Sequence, residues 1–219
     1  MKSFCIYCSG SASRVIKFYS NSANFSKYKP QKVIYDGNKQ EILTTLSSLF
    51  GEDLCYFDES KLNTDERAKI HTSTSAYIHS IMDQYSIEYL FCFGNKILKK
   101  PFIESYPKKL INFHPSILPA YKGLNAIDQA LMDEAIYLGN TAHFMDDGID
   151  TGQIILQAAM FAHEYEDYED VLELQFPMMK IILRDILGYD IPDETISEEI
   201  TKSRKILWRY HICDACARF

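Results

Sequence analysis

FCIYCSGSAS, residues 4–13, is the stretch on which the fold turns. The apolar run 4–8 consists of strand-forming residues without a polar break, which suits a strand buried on both faces, and SGSAS stops it with turn-forming residues. Val15, Ile16, Phe18 and Tyr19 then recur at helical spacing. The reading is strand, tight loop, helix. Outward from there the alternation repeats, with a strand KVIYD (32–36), a leucine-rich helical stretch over 39–50 and a strand LCYF (54–57). Residues 74–85 place Ala76, Tyr77, Ile81 and Tyr85 on one helical stripe, the apolar run 89–93 supplies another strand, and 110–113 a fifth. Strands that are apolar on both faces and separated by helices need a sheet covered on both sides. The expectation is a doubly wound, mostly parallel α/β fold of Rossmann-like type.

After Phe113 the texture changes to a proline-punctuated loop, HPSILPAYKG (114–123). A helix is expected over about 124–134, strands near 141–144 and 153–160, and helical residues over 168–187 that Pro177 should kink or split. An acidic run, DIPDETISEE (190–199), precedes a basic and aromatic tail, SRKILWRYH (203–211). That shift divides the chain into a main domain, 1–190, and a C-terminal extension, 191–219.

At 219 residues, 47% hydrophobic and 24% charged, the chain has the composition of a folded domain, which excludes disorder, collagen and coiled coil. Lysine and arginine total 23 against 30 acidic residues, a net charge of −7, and no basic block is present, so nucleic acid is a poor partner. The opening MKSFCIYCSG is too short in apolar residues for a signal-peptide core or a membrane span, so a cytoplasmic protein with free thiols and no membrane partner is expected. Two CxxC pairs, Cys5 with Cys8 and Cys213 with Cys216, have the spacing of a zinc site. An odd offset within a strand turns Cys5 and Cys8 to opposite faces, so no metal is expected and core packing explains them better. His71, His79, His143 and His163 lack a partner at a telling spacing and read as structural.

Asn112 and His114 stand two apart at the end of an expected strand, on one face of the sheet's carboxyl edge, where open α/β sheets bind ligands. As an isolated pair, Asn112 would cap the loop and His114 would satisfy a backbone carbonyl. INFHPSILPAYKG (111–123) together with FMDDGIDTGQIILQ (144–157), however, resembles the tetrahydrofolate-dependent formyltransferases, in particular their glycinamide ribonucleotide and amino-sugar branches. The resemblance runs over residues 4–157 and is densest from 110 onward. It implies 10-formyltetrahydrofolate as donor, a small-molecule primary amine as acceptor, and Asn112, His114 and Asp150 as catalytic residues.

The residue types suit that chemistry. Attack of an amine on a formyl carbonyl builds negative charge that a neutral amide such as Asn112 can stabilise, an effect worth about 10²- to 10³-fold. An imidazole such as His114 can move the amine's proton, worth roughly 10²- to 10⁴-fold, and a carboxylate such as Asp150 would orient the ring and stabilise its cation. The resemblance places the pterin ring between the DDGID loop and GNKIL (94–98), with Lys96 where the glycinamide ribonucleotide branch usually has arginine. Ile97, Leu98 and Met145 would form apolar walls, although Ile97 and Leu98 read equally as core, and Asp146, Asp147 and Gly148 would complete the loop. Ser9, Gly10, Ser11 and Ser13 resemble the acceptor-phosphate loop of that branch, with Ala12 for its second glycine and Arg14 for its asparagine. A helix N-cap by Ser11 or Ser13 would also account for the serines.

Residues 205–219 resemble the segment that follows the catalytic domain in amino-sugar and methionyl-tRNA formyltransferases. With Arg204, Lys205, Arg209 and the many aromatic rings available for a base and a pyrophosphate, the expected acceptor is a nucleotide-linked amino sugar of the dTDP-4-amino-4,6-dideoxyhexose type. Phosphoribosylglycinamide is the alternative. Formyltetrahydrofolate hydrolysis and folate binding without catalysis rank below both. Oligomeric state stays open, a homodimer among the options.

Overall fold

The computed structural model describes residues 1–62, 64–202 and 206–209. It forms two compact units, one of residues 2–111 and one from Asn112 onward. The first unit contains β1 (Phe4–Cys8), α1 (Ser13–Ser20), α2 (Ser22–Tyr28), β2 (Lys32–Tyr35), α3 (Gln40–Phe50), β3 (Leu54–Tyr56), α4 (Arg67–Gln84), β4 (Tyr89–Phe93), α5 (Lys100–Ser105) and the start of β5 (Leu110–His114). Its strands run parallel in the order β3-β2-β1-β4, and the Leu90 amide donates to Lys109 O at 3.0 Å where β5 begins.

Every residue of β1, β2 and β4 is buried, so both faces of this sheet are covered, as their unbroken apolar runs require. Cys8 is level with Tyr35 on one side and with Phe93 on the other. The segments that leave β1, β2 and β4 therefore emerge side by side at the carboxyl edge. Two short helices escape the sequence reading. α2 starts where Asn21 Oδ1 accepts the Ala23 and Asn24 amides at 3.0 and 3.3 Å, and α5 is a single short segment opened by Pro101. α4 begins at Arg67, ahead of its apolar stripe, because its first turns are exposed.

The second unit continues β5 and adds α6 (Ala126–Met132), β6 (Tyr137–Phe144), β7 (Ile154–Phe161), α7 (Tyr168–Leu172), α8 (Gln175–Asp185), α9 (Asp193–Lys202) and β8 (Ile206–Arg209). β6 and β7 form an antiparallel hairpin with a register shift between Ala142 and His143, and β8 pairs antiparallel with β7. β6 begins at Tyr137, well before the apolar residues that announced it. Pro177 sits in the first turn of α8, where its missing N–H costs nothing; the break expected of it falls just upstream, between α7 and α8. The boundary expected near residue 190 falls inside this unit, just before α9. Arg204, Lys205, Cys213 and Cys216 lie outside the described residues. Among the described residues no helix is long and apolar enough to cross a membrane.

Candidate active site

Leu110, Ile111 and Phe113 of β5 are buried, and the alternation puts Asn112 and His114 together at the strand's end. The loop that follows is tied to β6. Thr141 Oγ1 donates to Ser116 O at 2.7 Å and accepts the Leu118 amide at 3.0 Å, while Gln157 Nε2 donates to Leu118 O at 2.8 Å. Tyr121 and Gly123, with φ of 53° and 83°, turn the chain back through the left-handed region. The turn brings Tyr121 O to His114 Nε2 at 2.8 Å.

Asp150 reaches the same place from the β6–β7 loop. Its own φ is 50°, a conformation aspartate tolerates better than most side chains. Gly152 is required beside it, since a Cβ there would lie 1.7 Å from Phe144 O. Asp150 Oδ2 accepts the Gly123 amide at 2.8 Å and lies 3.3 Å from His114 Nδ1. Its Oδ1 accepts from Asn112 Nδ2 at 3.2 Å and lies 3.4 Å from His143 Nε2. Burial pushes the Asp150 carboxyl up, but the bonds to His143 and to the Gly123 amide, with the fields of both imidazoles, outweigh it and hold the group below the usual carboxylate range. It is an ionised acceptor.

That acceptor fixes its neighbours. A carboxylate cannot face a carboxamide oxygen at this distance, so the Asn112 amide nitrogen must point at Asp150. Asn112 Nδ2 also lies 3.2 Å from His143 Nε2, the nitrogen that meets Asp150, and His143 Nδ1 donates to Phe144 O at 2.9 Å. His143 therefore belongs to the cluster, contrary to its reading as a structural residue. It lies at the β6 bulge, a distortion that re-aims side chains next to sites. The signal available in the sequence was its place on the strand that leads into the Asp150 loop.

The remaining expected residues divide. In the second unit Met145 and Asp146 are half-buried, and Asp147 and Gly148 are exposed. Asp146 staples its own loop by accepting from the Gly148 amide at 3.1 Å and from Thr151 Oγ1 at 2.7 Å. In the first unit Ile97 is 44% exposed, whereas Leu98, at 3%, belongs to the core and cannot wall an open site. Lys96 Nζ lies 2.8 Å from Glu59 Oε1 and 3.9 Å from Asp36 Oδ2, so its charge is met within the protein. The serine loop carries Gly10 at φ 61° and Ala12 at φ 47°. Ala12 is the N-cap of α1, and no side chain caps that helix, so neither Ser11 nor Ser13 has the capping role. Arg14 stacks over the Phe93 ring with its guanidinium carbon 5.4 Å from the centroid. Cys5 and Cys8 are buried in β1, where burial drives both thiols far up. Among the described residues no three histidine, cysteine or acidic side chains are grouped so that they could hold a metal ion.

A carboxamide, an imidazole and an ionised carboxylate in mutual contact, without a serine or cysteine nucleophile among them, are the equipment of an acid–base group-transfer site on an α/β sheet. Comparison with known proteins specifies the class. The formyl transferase family model matches residues 56–176, and the chain belongs to that family. Over 128 residues, 55% of this chain and 66% of the relative, it is 29% identical to the phosphoribosylglycinamide formyltransferase of Bacillus subtilis. Over 84 residues, 38% of this chain, it is 40% identical to the human trifunctional purine biosynthetic protein adenosine-3, of which the match spans 8%. The chain thus covers less than two thirds of these relatives. Its fold matches that of the phosphoribosylglycinamide formyltransferase from Streptococcus pneumoniae TIGR4 with a TM-score of 0.70, covering 86% of this chain and 100% of that one at 21% identity.

Proposed function

We propose that this protein transfers a formyl group from 10-formyltetrahydrofolate to the primary amine of phosphoribosylglycinamide. The observation that carries the reading is the convergence of Asn112, His114 and His143 on the ionised Asp150, within the segment the family model matches. The donor set fits the donor molecule, because acyl transfer to an amine needs a proton acceptor and a polar N–H and no metal. 10-Formyltetrahydrofolate, when bound, supplies a carbonyl carbon open to attack.

The side chains do the rest. Asn112 keeps one amide hydrogen on Asp150 and presents the other to the oxygen where charge develops, a contribution of about 10²- to 10³-fold. His114 takes up the proton the amine sheds and passes it to the folate nitrogen as that nitrogen's bond to the formyl carbon breaks, so that tetrahydrofolate leaves neutral. Its Nε2 is turned to Tyr121 O, so that proton is held at Nδ1, against Asp150 Oδ2. Asp150 stabilises the resulting cation and, through the Gly123 amide, keeps the ring in place.

For the acceptor, the sequence reading put a nucleotide-linked amino sugar first. The names of the relatives favour phosphoribosylglycinamide instead, and this acceptor replaces the sugar here. The serine loop supports a phosphate: Ala12 keeps the left-handed backbone that glycine would give, so the path of the amides is retained although a Cβ is added. With 10-formyltetrahydrofolate as common donor, kcat/KM for phosphoribosylglycinamide should exceed that for a dTDP-linked 4-amino-4,6-dideoxyhexose by at least about tenfold, a typical margin for one well-placed charged contact. A preference for the sugar would return the acceptor to the earlier reading.

A further inference from the structure

At the carboxyl edge of the first unit's sheet, a polar network built around the buried Tyr7 and Asp36 joins the segments that leave β1, β2 and β4. Tyr7 is its centre. The ring packs so closely on Gly94 that a Cβ there would fall 2.0 Å from it. The phenol donates to Asp36 Oδ2 at 2.5 Å and receives Ser9 Oγ at 3.3 Å, and Ser9 Oγ in turn accepts the Asn95 amide at 3.3 Å. Lys96 closes the circuit between Glu59 and Asp36.

Such a network is expensive to keep. The Asp36 side chain is 1% exposed, and its Oδ1 has no hydrogen-bond partner among the described residues. Burial raises its carboxyl above the usual range, although the nearby Ser9 hydroxyl, the bond from Tyr7 and the charge of Lys96 oppose the rise. An apolar pair in place of Tyr7 and Asp36 would pack without that cost, so a stabilising role does not account for them. What they do supply is geometry. One phenol fixes Ser9 relative to Gly94 and Asn95, which otherwise belong to separate loops.

We infer that Tyr7, seated by Asp36, is a positioning residue that locks the loop after β1 and the segment after β4 into one register, so that neither can adapt to a ligand without the other. The functional consequence rests on the reading above, in which the first loop holds the acceptor's phosphate and the second borders the folate. Lys96 then acts by meeting the charges of Glu59 and Asp36 and not by touching folate.

Tyr7→Phe keeps the ring on Gly94 and removes only the hydroxyl. In the ligand-free variant, amide hydrogen exchange should quicken by about tenfold at Asn95 and also across residues 9–12, as expected for loss of one or two hydrogen bonds. KM should rise about threefold to tenfold for both donor and acceptor while kcat changes by less than about twofold. A purely structural residue would lower the melting temperature and leave exchange and both KM values of the folded variant unchanged. Ser9→Ala, at a half-exposed position that tolerates truncation, removes the link to Asn95 alone and should reproduce the faster Asn95 exchange if Tyr7→Phe folds poorly. Unchanged exchange at either segment in a folded variant overturns the positioning role. Faster exchange at both, in a protein whose wild type transfers no formyl group, upholds it and sinks the formyl-transfer reading.

Discussion

Asp150 gathers Asn112, His114, His143 and the Gly123 amide, so the single substitution Asp150→Asn strips the cluster of its only anion. The asparagine is isosteric, yet its nitrogen end would oppose a donor wherever it points. We expect kcat to fall about 100-fold or more while the fold survives. The substitution also has a pH signature. Because the folded carboxyl sits below its ordinary range, its contribution to stability is full above the unfolded value near about 4 and drains away as pH falls through the folded value. The gap in melting temperature between wild type and Asp150→Asn should be widest near neutrality and close below about pH 4; a gap that widens in acid would show that the carboxylate is not held as described. That Asn112, His114 and Asp150 meet was legible because they stand within a motif or at a strand end. His143 was not, since a histidine inside an apolar strand looks the same whether it faces core or site, and a bulge cannot be read from one sequence. The ion pairs of Lys96 were hidden for a similar reason, since Glu59 and Asp36 are far away in the chain.

The β6–β7 hairpin is the element that delivers Asp150, and its closure depends on Gly152. Gly152→Ala would place a Cβ against the Phe144 carbonyl, which is backbone and cannot swing aside. We expect a loss of at least about 2 kcal/mol in stability and a collapse of activity together, the range for strain at a special backbone position. Equal melting temperatures for variant and wild type would mean that the loop closes differently. Runs such as 4–8 and 89–93 revealed their strands because a doubly covered strand is continuously apolar. α2 and α5 stayed hidden because they span only 7 and 6 residues, too few for a periodic stripe. The antiparallel direction of β6 and β7 was also hidden, since direction is set by pairing partners that no local pattern names.

The two units carry different parts of the account: the first holds the serine loop and the Tyr7 network, the second the Asp150 cluster. Nothing in composition or charge distinguished a member of the formyl transferase family from any other acidic α/β protein, and the family was visible only through 111–123 and 144–157. The acceptor was the least legible feature, because 203–211 carries no motif that ties Arg204, Lys205 or Arg209 to a particular ligand. The central claim is that this protein catalyses formyl transfer through the Asp150 cluster. Steady-state transfer from 10-formyltetrahydrofolate to phosphoribosylglycinamide, measured for wild type and His114→Ala side by side with product identified by mass, tests it most directly. Formylated product is expected from the wild type, and a rate lower by about 10²- to 10⁴-fold from a variant of near-normal melting temperature. A His114→Ala protein that turns over at the wild-type rate would contradict it.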